Sequence, residues 1–181
     1  MQRQVILAAI LAIGMGTLAS ADTSAFEDGD GAETASTSSW TLRTLEFDEP
    51  EAESLQVVYT SDPNILGAMI TCNEISGLGV ALATRPMDFG EAIDSETRRA
   101  RLRTVRMTIE GQAAQSNVWK MLPNYGSVEP REQSVRNRVY NAIITGKSIN
   151  LKISGRPDAT LTFPEPDAAF IDFASECPAT S

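Results

Sequence analysis

Histidine is missing altogether from the 181 residues of this chain. Its absence excludes Ser-His-Asp and Cys-His nucleophile systems, histidine-ligated zinc and acid–base catalysis by imidazole. Any catalysis would have to depend on carboxylates, lysine, tyrosine, serine or threonine. We therefore predict a non-catalytic protein, with a carboxylate-based hydrolase as the enzymatic alternative.

Long apolar runs are also scarce, and the one that stands out lies at the start, Val5–Ile13. Arg3 precedes this run and the small residues Ala19–Ala21 follow it. A basic start, a short apolar core and a small-x-small end are typical of a cleavable export signal, whereas a membrane-spanning helix needs about 20 apolar residues. We predict that residues 1–21 are a signal peptide. The remaining protein would have no membrane span and would be periplasmic or secreted, in a Gram-negative bacterium.

Positive charge is in short supply, with 15 Lys and Arg against 24 Asp and Glu and a net charge of -9. The excess acid lies in residues 22–53, which hold ten acids and one base. Because an acidic chain repels phosphate backbones, nucleic-acid binding is not expected. Phe26 is the one large apolar residue in 22–38, so we predict a flexible acidic leader there.

Cysteine occurs only twice, as Cys72 and Cys177. Two thiols in an exported chain meet an oxidising compartment, where they most often pair. Such a bridge would contribute about 4–5 kcal/mol on the chain-entropy model. Two free thiols, or a bridge between molecules, are the alternatives.

The rest of the chain, residues 39–181, is predicted to form a single β-rich domain. About eight short segments alternate in polarity or are continuously apolar, and turn-forming residues separate them: 40–45, 55–60, 65–72, 78–84, 104–110, 118–122, 148–153 and 160–163. An apolar stripe predicts one helix at about 129–145, with Pro130 in its first turn. A second, short helix is possible from Ala168. The expected fold is mainly β, a β-sandwich or partial barrel with one packed helix.

Five arginines within nine residues form the most suggestive surface feature: Arg98, Arg99, Arg101, Arg103 and Arg106. Guanidinium groups bind carboxylates, phosphates and lipopolysaccharide head groups. This arginine cluster is our candidate contact surface for an anionic partner. A solvated loop and strand face, beside Asp94, Glu96 and Glu110, is the simpler interpretation and the one that such charge runs favour.

No metal or cofactor is predicted. Thr145–Ser148 resembles the end of a phosphate-binding loop but lacks the earlier glycine and the strand–loop–helix order. The sparse large aromatic residues are assigned to the core rather than to a sugar-stacking surface: Trp40, Trp119, Tyr125 and Tyr140.

Several segments together carry a resemblance to known proteins: Ile70–Cys72, Val105–Ile109 with Trp119, the helix up to Tyr140, Gly146–Leu151 and Phe170–Cys177. Their layout resembles that of small exported β-rich accessory proteins of Gram-negative bacteria. It is similar to type VI secretion-associated periplasmic proteins and, more distantly, to the invasion-associated locus B family. The resemblance implies an exported accessory or binding role and supplies no catalytic residue.

Taken together, these features predict an exported binding or accessory module that contacts an unidentified protein or envelope component. A periplasmic inhibitor that inserts a loop such as Pro123–Gly126 into a hydrolase is the second hypothesis. The carboxylate-based hydrolase is the third, and would require two carboxyl groups converging across a cleft.

Overall fold

The computed structural model describes residues 39–46, 54–94, 99–123 and 126–177. The predicted signal peptide (1–21) and acidic leader (22–38) lie outside the described residues. All described residues belong to one compact unit, Ser36–Ser181.

Within the described residues there are nine strands and three helices. The strands are β1 Trp40–Leu45, β2 Leu55–Thr60, β3 Ala68–Asn73, β4 Gly77–Ala83, β5 Arg101–Ile109, β6 Gln115–Leu122, β7 Ser127–Pro130, β8 Ile149–Ile153 and β9 Ala159–Leu161. The helices are α1 Phe89–Ile93, α2 Gln133–Ile144 and α3 Ala168–Glu176.

The strands form one antiparallel sheet in the order β1-β2-β3-β4-β7-β6-β5-β8-β9. The prediction of a mainly β fold with a packed helix is confirmed. Period-two alternation explains the sheet's two faces, because successive side chains of a strand point to opposite sides. In β3, for example, Ile70 and Cys72 are buried in the main core, whereas Met69 and Thr71 lie on the other face and are half-buried.

One apolar cluster includes residues from every strand, from Trp40 in β1 to Leu161 in β9, together with α2 and α3. Both ends of the sheet can share a core only if the sheet curls around these helices. The segment after β9 contacts β1 at the other edge of the sheet, where the indole Nε1 of Trp40 donates to the backbone oxygen of Glu165 at 3.2 Å. The gap between the two edge strands is thus bridged by chain rather than by a strand pair.

The predicted helix at 129–145 is confirmed as α2, but it begins at Gln133 because Ser127–Pro130 forms β7. Pro130 therefore ends a strand instead of starting the helix. The reason is tertiary: β7 fills the place between β4 and β6, pairing with both. The predicted apolar stripe of α2 is buried as expected, at Val135, Val139, Ala142 and Ile143.

Helix α1, which the sequence analysis left as an irregular segment, covers part of the opposite sheet face. Asp88 caps it, accepting from the backbone N–H of Gly90 at 2.7 Å. Phe89 is buried against Ala81 and Ala83 of β4. This second, small core is separate from the main one.

Among the described residues, no helix combines the length and the apolar composition needed to cross a bilayer.

Candidate functional site

The arginine cluster lies mainly on β5. Arg99, Arg101, Arg103 and Arg106 are all exposed, and Arg98 lies outside the described residues. Arg101 and Arg103 share the alternation of Val105, Met107 and Ile109, which are buried in the main core. Arg106 has the opposite alternation, together with Leu102 and Thr104. The structure thus divides the cluster between the two faces of the sheet.

Strand β5 extends well beyond the end of one of its two neighbours. It has nine residues, and all but its last two pair with β6, from Arg101 opposite Met121 to Met107 opposite Gln115. Strand β8 has five residues and pairs only with Val105–Ile109. The first four residues of β5 therefore have a strand on one side only, and all four are exposed.

The backbone groups that face the β8 side in this stretch belong to Leu102 and Thr104. The N–H of Glu110 donates to the oxygen of Ser148, just before β8, at 3.0 Å. In an antiparallel pair, alternate residues direct both backbone groups to the same neighbour, so every second residue before Glu110 faces the β8 side. The register places Ser154, the first residue after β8, opposite Thr104, so among the described residues Leu102 is the one whose backbone groups have no strand or strand end opposite. We call the stretch Arg101–Thr104 the free edge of β5.

The arginines at the free edge have no acidic partner among the described residues. The ion pairs found there are Arg43 with Asp94 at 3.2 Å and Lys152 with Asp158 at 3.0 Å. Arg103 instead donates from Nη1 to the backbone oxygen of Leu102 at 3.1 Å. The guanidinium groups thus give this end of an acidic protein a locally positive surface, which no acid among the described residues compensates.

Arg106 adds to this surface from the other face. It lies directly opposite Lys152 of β8 in the strand register. Like charges directly opposite one another weaken a strand pair. Charge pairing within the sheet therefore does not account for an arginine at this position, whereas an external anion would be attracted by it.

Glu110, at the other end of β5, belongs to the connection with β8 rather than to the cluster. Its Oε2 accepts hydrogen bonds from the backbone N–H of Ser148 at 3.2 Å and from the Ser148 hydroxyl at 3.0 Å. The backbone bond, then the hydroxyl bond, lower the pKa of Glu110 below its ordinary value of 4.5. Glu110 is thus held as a carboxylate that joins the end of β5 to the start of β8.

A groove of about 260 Å³ lies on the face of the sheet opposite the main core, over β3, β4 and β7. The groove is open above Gly79, which has no side chain, and above the small side chain of Ala81, both in β4. Met69 and Thr71 of β3 line one wall. Glu129 is the single acidic residue among those that line it. The groove therefore does not supply the converging pair of carboxylates that the hydrolase hypothesis requires.

Arg136 lies at the rim of this groove, and its guanidinium is already hydrogen-bonded to the protein backbone. Its guanidinium donates to the backbone oxygens of Leu78 at 3.3 Å, Pro130 at 3.0 Å and Arg131 at 3.2 Å. Pro130 has no N–H to continue the pairing of β7 with β4 beyond Val128 opposite Leu82. Arg136 thus acts as a structural clamp where these two strands separate.

The aromatic residues settle the choice between core and sugar-stacking surface for three of the four. Trp40 and Trp119 are fully buried, and Tyr140 is 7% exposed. Tyr125 lies outside the described residues. A ring that is buried in the core presents no face to a sugar, so the core assignment is confirmed for these three.

The loop of the inhibitor hypothesis is described only at its ends. Pro123 is half-buried, and Gly126 is buried and adopts a left-handed φ of 69°. The backbone oxygen of Gly126 accepts from the N–H of Thr84 at 2.7 Å, which anchors this end to the residue after β4. Residues 124–125 lie outside the described residues, so insertion of this loop into a hydrolase stays a prediction.

Cys72 of β3 and Cys177, which follows α3, form the predicted disulfide, with their Cα atoms 5.8 Å apart. Both cysteines are 3% exposed. The bond closes a sequence separation of 105 residues and holds the end of α3 against the sheet. In the part of the chain that the structure describes, no group of three or more acidic or cysteine side chains is arranged to hold a metal ion.

The fold and the site define a disulfide-bridged, mainly β domain with a cationic strand edge. No protein-family model, curated protein or solved structure matches the chain.

Proposed function

We propose that this protein is an exported binding module that contacts an anionic partner through the arginines at the free edge of β5. The observation that carries the proposal is the set of exposed arginines without an acidic partner among the described residues: Arg99, Arg101, Arg103 and Arg106. A partner's carboxylates would supply the missing counter-charges, as charge-assisted hydrogen bonds.

The chemistry of the rest of the domain supports a partner outside the cytoplasm. A disulfide buried between a strand and a terminal helix persists in an oxidising compartment and is rare in the cytosol. Together with the signal-like start of the sequence, it favours the periplasm or the exterior of a Gram-negative cell. The resemblance to exported accessory proteins is in keeping with the same role.

The test uses the oxidised protein and a labelled polyglutamate, with binding followed by fluorescence anisotropy. The double variant Arg101→Glu and Arg103→Glu reverses two charges at the free edge. We expect it to weaken binding at least about tenfold, because each lost charge-assisted contact contributes about 1.5–3 kcal/mol before solvent screening. Binding by the unaltered protein should also weaken as salt is raised.

The matched control is Arg131→Glu with Lys147→Glu, which changes the net charge equally at two exposed positions away from the free edge. We expect this control to bind nearly as well as the unaltered protein. Equal weakening by both double variants would mean that net charge, rather than the free edge, governs binding. Absence of any binding to the polyanion by the unaltered protein would also overturn the proposal.

A further inference from the structure

We infer that the free edge of β5 accepts an extended acidic peptide of a partner protein as an added β-strand. This inference rests on the proposed function and deepens it by naming the partner's chemistry and its mode of binding. In strand addition, main-chain hydrogen bonds supply affinity and alternate side chains supply specificity.

The backbone is the first support. Leu102 directs its N–H and carbonyl groups to the side that β8 does not reach. An incoming strand would pair with Arg101–Arg103, beyond the turn that begins at Ser154 opposite Thr104. Only the Leu102 oxygen has a side-chain donor among the described residues, the exposed guanidinium of Arg103, which solvent or a peptide N–H can replace.

The division of the arginines between two faces is the second support. A strand added at an edge presents its side chains alternately to the two faces of the sheet. On one face its side chains would meet Arg101 and Arg103, which are exposed and without an acidic partner among the described residues. Acidic residues at every second position of the peptide would therefore pair with both.

On the other face of the sheet, the side chains of the added strand would lie beside apolar rather than basic residues. Leu102 is 55% exposed there, and Val118 of β6 is 44% exposed. Val118 lies opposite Thr104, so it is a diagonal neighbour of Leu102 on the same face. An apolar side chain of the added strand would pack against Leu102, the member of this pair that lies on β5. The peptide that fits best thus alternates acidic and apolar residues.

Arginines at an edge have another use, which is to keep edges from pairing with one another. That role predicts no preference for the peptide's residue order. The decisive comparison is between an alternating Glu-Val peptide and a peptide of the same composition with its Glu and Val residues in two blocks. Strand addition predicts that the oxidised protein binds the alternating peptide at least about tenfold more tightly, because only that order places acids on one face.

Two further measurements test the main-chain bonds. Leu102→Pro removes an N–H that faces the open side without removing a bond to β6, and proline is tolerated at such edge positions. We expect it to weaken binding about tenfold, whereas Leu102→Val, which keeps the N–H and an apolar side chain, should not. N-methylation of alternate peptide residues tests the same bonds from the other side and leaves the protein unaltered.

Hydrogen exchange gives a direct readout. The amide of Leu102 should become protected when the alternating peptide is added, while that of Thr108, which already faces β8, should change little. If the two peptides bind equally, and neither Leu102→Pro nor N-methylation weakens binding, strand addition is wrong. If polyglutamate binding still depends on Arg101 and Arg103, the proposed function stands without strand addition. If the protein also fails to bind polyglutamate, both the proposed function and strand addition are wrong.

Discussion

Asp167 joins the two ends of the β domain, because its Oδ2 accepts a hydrogen bond from the backbone N–H of Trp40 at 3.0 Å across 127 positions of sequence. Its other oxygen, Oδ1, accepts from the N–H of Phe170 at 3.2 Å and so caps α3. The ring of Trp40 packs edge-on against Phe170, with ring centroids 4.8 Å apart. One carboxylate therefore starts the last helix and fixes it against the first strand.

We predict that Asp167→Ala lowers the free energy of unfolding by about 1–3 kcal/mol, because it removes a helix cap and leaves the Trp40 N–H without this acceptor. Urea unfolding followed by tryptophan fluorescence measures the change. Asp158→Ala is the matched control, since it removes a carboxylate whose ion pair with Lys152 is exposed and should cost less than about 1 kcal/mol. Similar losses from the two variants would contradict the special role of Asp167.

The disulfide should make a large contribution to stability. We expect the double variant Cys72→Ser and Cys177→Ser to lose about 2–5 kcal/mol, because a cross-link over a long loop restricts the unfolded chain. The unaltered protein under a strong reductant should approach the double variant in its unfolding midpoint. The double variant itself should not respond to the reductant, and a midpoint equal to that of the oxidised protein would refute the prediction.

Arg136 should resist replacement even by lysine. Its planar guanidinium reaches three backbone oxygens at once, which a single ammonium group cannot reproduce. We expect Arg136→Lys to destabilise the protein by about 1–2 kcal/mol in chemical denaturation. Arg138→Lys is the control, because among the described residues Arg138 donates to side chains alone, those of Gln112 and Gln115. Stability unchanged in Arg136→Lys would show that the clamp is dispensable.

Glu110 should give stability a component that depends on pH. Its pKa is lowered in the folded protein, so its contribution is fully present above the ordinary value of 4.5 and is lost as the pH falls through the lowered value. The melting temperature of Glu110→Gln should therefore lie below that of the unaltered protein at pH 6 to 7, at a roughly constant interval. As the pH falls below about 4.5 the two melting temperatures should converge, and they should coincide once the pH is below the lowered pKa of Glu110.

A charge control for this experiment is Glu74→Gln, on the exposed turn between β3 and β4, where no hydrogen bond to the Glu74 side chain is found among the described residues. The difference in melting temperature between Glu110→Gln and the unaltered protein should not stay constant down to pH 3. A constant difference would show that the bonds to Ser148 do not stabilise the charged form of Glu110.

Most of the strands could be predicted because their signal is local. The alternation of Val105, Met107 and Ile109 assigned a buried face to β5, and by the same rule placed Arg106 on the other face. Strand β7 and helix α1 were missed for opposite reasons. The four residues of β7 become a strand because two neighbours pair with them, and α1 is a single capped turn whose one buried side chain, Phe89, finds its place on β4.

Only part of the candidate site could be predicted from the sequence. Sequence identified the arginines and their charge, which are properties of the residues themselves. The free edge depends on where β8 ends relative to β5, and these strands are about forty residues apart in the chain.

By itself, the sequence determined a mainly β chain with two cysteines, no histidine, one amphipathic helix and a run of arginines, because composition and periodicity are read along a single stretch of chain. Only the tertiary structure decided that nine strands of the described residues form one sheet, that Asp167 meets Trp40, and that Arg101 and Arg103 lie on β5 beside an edge that β8 does not reach. Strand order and register are set by which distant segments bury their apolar faces together, and that choice is made by the whole core rather than by any one segment.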